Sequence, residues 1–273
     1  MALGKQIVHL RDFDAETDKI AATYGTTRLY STGSTDLDKY FCGGYGRPDG
    51  YEIVVLFGET GIGKSTFGLN LMLDPIKRGK KVGLLMLEDD GVDVNMKLRL
   101  MLGKAELAKF NENIHFTPPD VISGQKLWGL DDLLVLIEDW FVERKLDVIL
   151  LDHLQFAFES AVTLKGENEY IAQRIFVRKL NYLVRKHNKT IILVSHVGKN
   201  TQAKGMGKII GSSGIAGSAT KTIEVKRDDS VMLVRFWKSR FTPTPDHDRA
   251  FKFNEKHQII GPNDIVDVKG VPF

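Results

Sequence analysis

Residues 58–66 read GETGIGKST, directly after the apolar run YEIVVLF. Glycines at 58 and 63 followed by Lys64 and Ser65 satisfy the G-x-x-x-x-G-K-[ST] pattern. Such glycines let backbone N–H groups turn inward toward phosphate oxygens, and a helix starting there adds its positive N-terminus. Lys64 is expected to reach the β and γ phosphates, and the Ser65 hydroxyl to ligate Mg²⁺. The whole loop, Gly58, Glu59, Thr60, Gly61, Ile62, Gly63, Lys64, Ser65 and Thr66, is therefore expected to cradle ATP or another nucleoside triphosphate. Glu59 and Thr60 read as solvated loop positions rather than catalysts.

A bound metal needs a second acid, usually at the end of an apolar strand. DVILLDH supplies Asp152 there, whereas Asp147 opens the same run and faces away from the site. Hydrolysis needs a carboxylate to polarise the attacking water. KVGLLMLEDD ends in Glu88, Asp89 and Asp90, and spacing does not choose Glu88 over Asp89. IILVSHVGKN places Ser195 and His196 after another apolar run, where a polar side chain can sense the γ-phosphate. His153 reads as a residue that packs or orients beside Asp152.

Two basic regions follow. Val197 to Lys221 holds four lysines (Lys199, Lys204, Lys208 and Lys221), six glycines and no acid. A glycine-rich basic loop beside a nucleotide sensor suits a phosphate backbone and can move when the γ-phosphate leaves. It has no aromatic residue to stack on bases, so the grip is expected to be electrostatic and weakened by salt. Lys165, in SAVTLKGENEY, can reach the same strand of nucleic acid. In VMLVRFWKSRF the period-two alternation of a strand puts Lys238 and Arg240 on one face. A guanidinium aimed at a neighbour's γ-phosphate would be an arginine finger; two exposed basic residues guarding an edge strand are the competing reading.

These residues must be held by regular elements. Apolar runs at Glu52–Phe57, Val82–Leu87, Val148–Leu151 and Thr190–Val194 fit strands covered on both faces, as in a parallel sheet. Helical segments are expected at Ser65–Leu73, Asp93–Leu102, Leu130–Arg144 and about Glu169–His187. Alternation of this kind implies right-handed βαβ units in a doubly wound sheet, with ligands at the carboxyl ends of the strands. Thr222–Lys226 and Val231–Trp237 read as a hairpin around RDDS, and Ala250–Phe253 with His257–Ile260 as a last pair. Both pairs are expected as antiparallel additions at one side of the sheet. Residues 1 to about 28 read as an arm or linker with a short helix near Ala15–Thr23, and the remainder, 29–273, as one domain.

With 273 residues, 42% of them hydrophobic, the chain can bury a full core. Its 38 basic and 35 acidic side chains give a formal charge of +3, too small to announce a polyanion partner by itself. Cys42 is the single cysteine, so an internal disulfide is excluded and a reducing compartment expected. No run approaches the about 18 consecutive apolar residues of a membrane span, and the first residues lack the pattern of a secretory signal. A cytoplasmic location is the default.

In this order the parts resemble the RecA-like core of the ring-shaped superfamily 4 replicative helicases, the DnaB type and the helicase half of phage primase-helicases. The resemblance spans about Ser31 to Ile260. STGSTDLDKYFCGGYGRPDGYEIVVLFGETGIGKST is similar to the family's approach to its P-loop. KKVGLLMLEDD resembles the segment bearing the catalytic glutamate, which places that role on Glu88. LLDHLQF looks like the acidic strand with its DNA loop, and LVSHVGKN like the sensor motif, on His196. IIGSSGIAGSATKTIEVKR followed by LVRFWKSRF is similar to a third DNA loop and finger strand, with Arg240 as finger and Lys238 on the same phosphate.

The resemblance implies an α/β, RecA-like P-loop NTPase whose doubly wound, mainly parallel sheet carries antiparallel strands at its C-terminal side. It further implies a hexameric ring with ATP and Mg²⁺ between subunits, single-stranded DNA in the channel, 5′ to 3′ movement, and a separate primase or loader. GIAGSAT departs from the family, which commonly has an arginine or glutamine there. The residue stacking on the nucleotide base has one candidate, Arg99. Two other readings stay open: a RecA- or RadA-like recombination ATPase forming filaments, and a nucleotide-gated protein ring without DNA, similar to clock ATPases.

Overall fold

The computed structural model describes residues 28–48, 50–117, 130–154, 169–197, 206, 209, 212–228, 231–240 and 242–262. Residues 1–27 of the expected arm and Lys165, Lys199, Lys204 and Lys208 lie outside them. Among the described residues nine strands form one sheet: β1 (Glu52–Gly58), β2 (Val82–Met86), β3 (Ile114–Thr117), β4 (Val148–Asp152), β5 (Thr190–His196), β6 (Lys221–Asp228), β7 (Val231–Ser239), β8 (Arg249–Phe253) and β9 (Ile259–Ile260). Their order is β3-β2-β4-β5-β1-β6-β7-β8-β9. The first six are mutually parallel, and β7, β8 and β9 add antiparallel at one end.

β1, β2 and β4 are buried along their whole length because helices cover both faces of the sheet. Alternation splits each strand between two apolar layers. Val54 and Leu56 join Phe67 and Leu71 of α2 (Lys64–Lys77) on one face, with Val94 and Leu98 of α3 (Gly91–Leu102). Ile53, Val55 and Phe57 join Ile137 and Trp140 of α5 (Leu130–Val142) and Phe176 and Leu180 of α6 (Glu169–Lys186) on the other. Two short helices, α1 (Thr35–Tyr40) and α4 (Lys104–Ala108), complete the first layer, and α7 (Ser212–Ser218) precedes β6.

Three differences from the sequence expectations have physical reasons. The helix expected over Ser65–Leu73 runs on through Pro75 to Lys77, although proline lacks the N–H of a helical bond. Leu71, whose carbonyl would have taken the missing proton, accepts the Tyr45 hydroxyl instead. β3 is a four-residue edge strand too short for a periodicity signal. The segment read as one basic loop contains α7, and Lys221 belongs to β6, where it is 1% exposed, 3.2 Å from the Glu52 carboxylate, and donates to the Gly44 carbonyl at 2.9 Å. Lys221 is therefore a structural cation, and only Lys199, Lys204 and Lys208 remain as charges of that loop.

Candidate nucleotide site

β1, β4 and β5 end side by side, and their carboxyl ends converge on the loop before α2. Gly58 is the register partner of His196, so the glycine loop after β1 and the end of β5 leave the sheet together. A Cβ on Gly58 would lie 2.2 Å from the Val225 carbonyl oxygen, which excludes any larger residue where β1 turns into the loop. Gly61 and Gly63 have φ of +80° and +97°, the left-handed region that glycine enters without a Cβ clash. Gly63 is the N-cap of α2 and makes no side-chain cap bond, so the first amides of the helix are left for an anion.

Lys64 is 5% exposed, and its Nζ donates to the Glu59 carbonyl at 2.6 Å and lies 3.4 Å from His196 Nδ1. Burial lowers its pKa, opposed by the nearby carboxylates of Asp152, Glu88 and Glu59. Asp152, at the end of β4, is 5% exposed and accepts a hydrogen bond from Ser65; burial raises its pKa and that bond works the other way. Thr60 Oγ1 lies 3.0 Å from His196 Nδ1, Ile62 packs on the core, and Thr66 holds Asn70 through its carbonyl at 2.8 Å.

Past β2 the three acids part company. Asp90 caps α3, accepting from the Asp93 amide at 2.8 Å. Asp89 pairs with Lys97 Nζ at 2.5 Å. Glu88 meets His153 Nε2 at 2.6 Å and keeps 56% of its side chain exposed. The His153 ring, 7% exposed, stands edge-on to that of His196 with centroids 4.2 Å apart. Burial, then the positive charge of Lys64, drives the His196 pKa down to about 4, so its imidazole is neutral near pH 7.

His153 is the residue that sequence reasoning set aside. Its neighbour Asp152 advertised the position, but the carboxylate it binds is sixty-five positions away in the chain and meets it only because β2 and β4 pair, Met86 opposite Asp152.

The basic pair lies elsewhere. Arg240 N donates to the Thr220 carbonyl and Thr220 N to that of Ile53, each at 2.9 Å. Ile53 is the second residue of β1 and Gly58 its last, so at ~3.3 Å per residue Arg240 is displaced roughly 16 Å along the strand direction from its own phosphate loop, at the opposite end of the strands. Lys238 Nζ donates to the carbonyls of Ala216 and Gly217 at 2.6 and 3.1 Å, and an Arg240 guanidinium nitrogen to that of Gly217 at 2.7 Å. Both cations thus satisfy the open carbonyls at the C-terminus of α7. Burial and the nearby Arg240 lower the pKa of Lys238. Arg99 is in the last turn of α3, at the end of that helix away from the acids that follow β2.

Among the described residues no helix is long and apolar enough to cross a membrane. Residues 46–202, more than half of the chain, match a family model described as an AAA domain. The fold is similar to that of a solved ATPase domain (TM-score 0.70, 15% identity, 92% of this chain and 97% of that one). It is also similar to a KaiC-like protein from the hyperthermophilic archaeon Pyrococcus horikoshii OT3 (TM-score 0.65, 19% identity, 86% and 98%). No curated protein sequence matches the chain. The RecA-like, mainly parallel architecture with antiparallel strands at the C-terminal side is thereby shown.

Proposed function

The chain belongs to the AAA domain family, and we propose that it is an ATP-driven motor that moves along single-stranded DNA and unwinds duplex as a replicative helicase of phage or plasmid type. The observation that carries this reading is the separation of parts within one chain. A phosphate loop, the acids Glu88 and Asp152 and a sensor gather at the carboxyl ends of the parallel strands, while Arg240 stands at their opposite ends, a strand's length from its own loop. A site completed by a second copy fits this arrangement, with subunits joined in a hexameric ring.

The donors present fit Mg²⁺ and a triphosphate: Asp152 and Ser65 offer hard oxygen ligands already hydrogen-bonded to one another, and space opens around Gly61, where an added Cβ would meet nothing within 4 Å. When bound, the ion would neutralise charge building on the phosphate oxygens. Lys64, countered by Asp152, Glu88 and Glu59, holds a cation where the γ-phosphate is expected. Glu88 serves as the carboxylate that polarises the attacking water, and His153 fixes its direction through Nε2. His196, bonded to Thr60, reports whether the γ-phosphate is there, and the strand it ends leads directly into the basic loop bearing Lys199, Lys204 and Lys208. Lys165 adds to the grip on DNA, Lys238 joins Arg240 at the neighbour's phosphate, and a separate primase or loader completes the assembly.

Phosphate release is expected to rise on adding single-stranded DNA and to lose that stimulation as salt increases, because each lysine–phosphate contact releases counterions. Strand displacement of a forked duplex tests unwinding directly. Turnover indifferent to single-stranded DNA would defeat the motor reading and favour a nucleotide-gated protein ring. The likeness to a KaiC-like fold leaves a second reading open, a RecA- or RadA-like recombination ATPase. Open filaments in electron micrographs, with pairing of homologous strands, would favour it.

A further inference from the structure

From the convergence of Glu88, His153 and His196 we infer a binding site for a borderline transition-metal dication such as Zn²⁺, distinct in chemistry from the Mg²⁺ position at Ser65 and Asp152. One ligand atom from each residue lies within 4.8 Å of the other two. Glu88 Oε1 and His153 Nε2 are already 2.6 Å apart, and the two imidazoles stand at 85° to one another, 4.2 Å between centroids. A tetrahedral ion with bonds of about 2.0–2.2 Å separates its ligands by roughly 3.4 Å, so opening the Glu88–His153 pair by less than an ångström admits it.

The donor set decides the metal. Magnesium takes oxygen ligands in a near-ideal octahedron and keeps its waters, whereas imidazole suits zinc, copper, nickel and iron. Two histidines and one glutamate are a catalytic-type zinc set that leaves a fourth position open. The three residues are held in different ways. His153 is buried at the end of β4, His196 is anchored by Thr60 at the end of β5, and Glu88 is more than half exposed and can swing to admit an ion from solvent. Lys64 opposes a second cation nearby, but Asp152, Glu88 and Glu59 surround it with negative charge.

Binding does not depend on the proposed motor activity; its consequence does. An ion held here occupies the carboxylate assigned to the attacking water and the histidine assigned to the γ-phosphate, so Zn²⁺ is an inhibitor of hydrolysis that excess Mg²⁺ does not relieve.

Calorimetric titration of the full chain with Zn²⁺ alone is expected to find one site, weakened at least about ten-fold by His153→Gln, His196→Gln or Glu88→Gln, since each removes one of three protein ligands. Co²⁺ in its place is expected to give the visible absorption of a low-coordinate nitrogen–oxygen site. Titration curves that do not differ between the parent and all three variants overturn the site. Should a variant fail to fold, NMR of the parent chain decides: Zn²⁺ is expected to shift the ring signals of His153 and His196 ahead of those of His247 and His257, and the reverse order overturns the proposal. Tight binding lost in the variants, without any inhibition of phosphate release, upholds the site and removes the roles given to Glu88 and His196 in hydrolysis.

Discussion

At the scale of residues, three adjacent acids show how partners assign roles. Asp90 is consumed as a helix cap and Asp89 by Lys97, which leaves Glu88 facing the two histidines. Under the proposed function the Lys64 ammonium is the cation that meets the γ-phosphate, so Lys64→Ala is expected to abolish phosphate release while circular dichroism stays that of the parent. Unchanged turnover would show that the triphosphate sits elsewhere. His196 supplies a pH test. Its folded-state pKa of about 4 lies below the ordinary 6.5, so between these values the unfolded chain binds more protons. Its contribution to stability is complete above about pH 6.5 and is lost as pH falls toward 4. NMR of the nucleotide-free protein is expected to place the ring's midpoint near that lower value, and Lys64→Ala is expected to move it upward by removing a neighbouring cation.

At the scale of elements, the helix behind the phosphate loop depends on a repair. Pro75 deprives the Leu71 carbonyl of its helical donor, and the Tyr45 hydroxyl, itself fully buried, takes the vacant place. Tyr45→Phe leaves that carbonyl buried and unpaired, which is expected to lower stability by ~1–3 kcal/mol, read as an earlier urea midpoint. An unchanged midpoint would mean that Leu71 finds another donor. On the opposite face a Cβ on Gly83 would lie 2.5 Å from the Trp140 ring, so β2 and α5 pack backbone against indole. Gly83→Ala is expected to cost about 1–3 kcal/mol through overpacking. Asn70 ties α2 to the last hairpin, donating to the carbonyls of Thr66 and His257 and accepting from the Ile259 amide.

At the scale of the whole molecule, the sheet separates two chemistries by the length of a strand. The phosphate loop is at the carboxyl end of β1, and Arg240, tied through Thr220 to Ile53, is at its start. Under the proposed function each active interface combines one subunit's Lys64 with another's Arg240. Mixing Arg240→Ala subunits with Lys64→Ala subunits is therefore expected to recover part of the hydrolysis that either variant lacks alone, because some interfaces pair an intact loop with an intact finger. Mixtures that stay as inactive as their components would argue for a site complete within one chain.

The spacing in GETGIGKST, the continuous apolar runs and their alternation with helical segments were enough to place a glycine loop between strand and helix, Asp152 at the end of an apolar strand and a mainly parallel sheet, because those signals are local. Backbone periodicity and glycine geometry act within a few residues of where they are written. Tertiary pairing alone decided the rest: which of Glu88, Asp89 and Asp90 stays available, that His153 binds the first of them, that Lys221 is buried against Glu52, and that Arg240 lies beyond reach of its own loop. Each of these depends on which strand lies next to which, and a hydrogen bond or ion pair between residues distant in the chain leaves no trace in the spacing of either one.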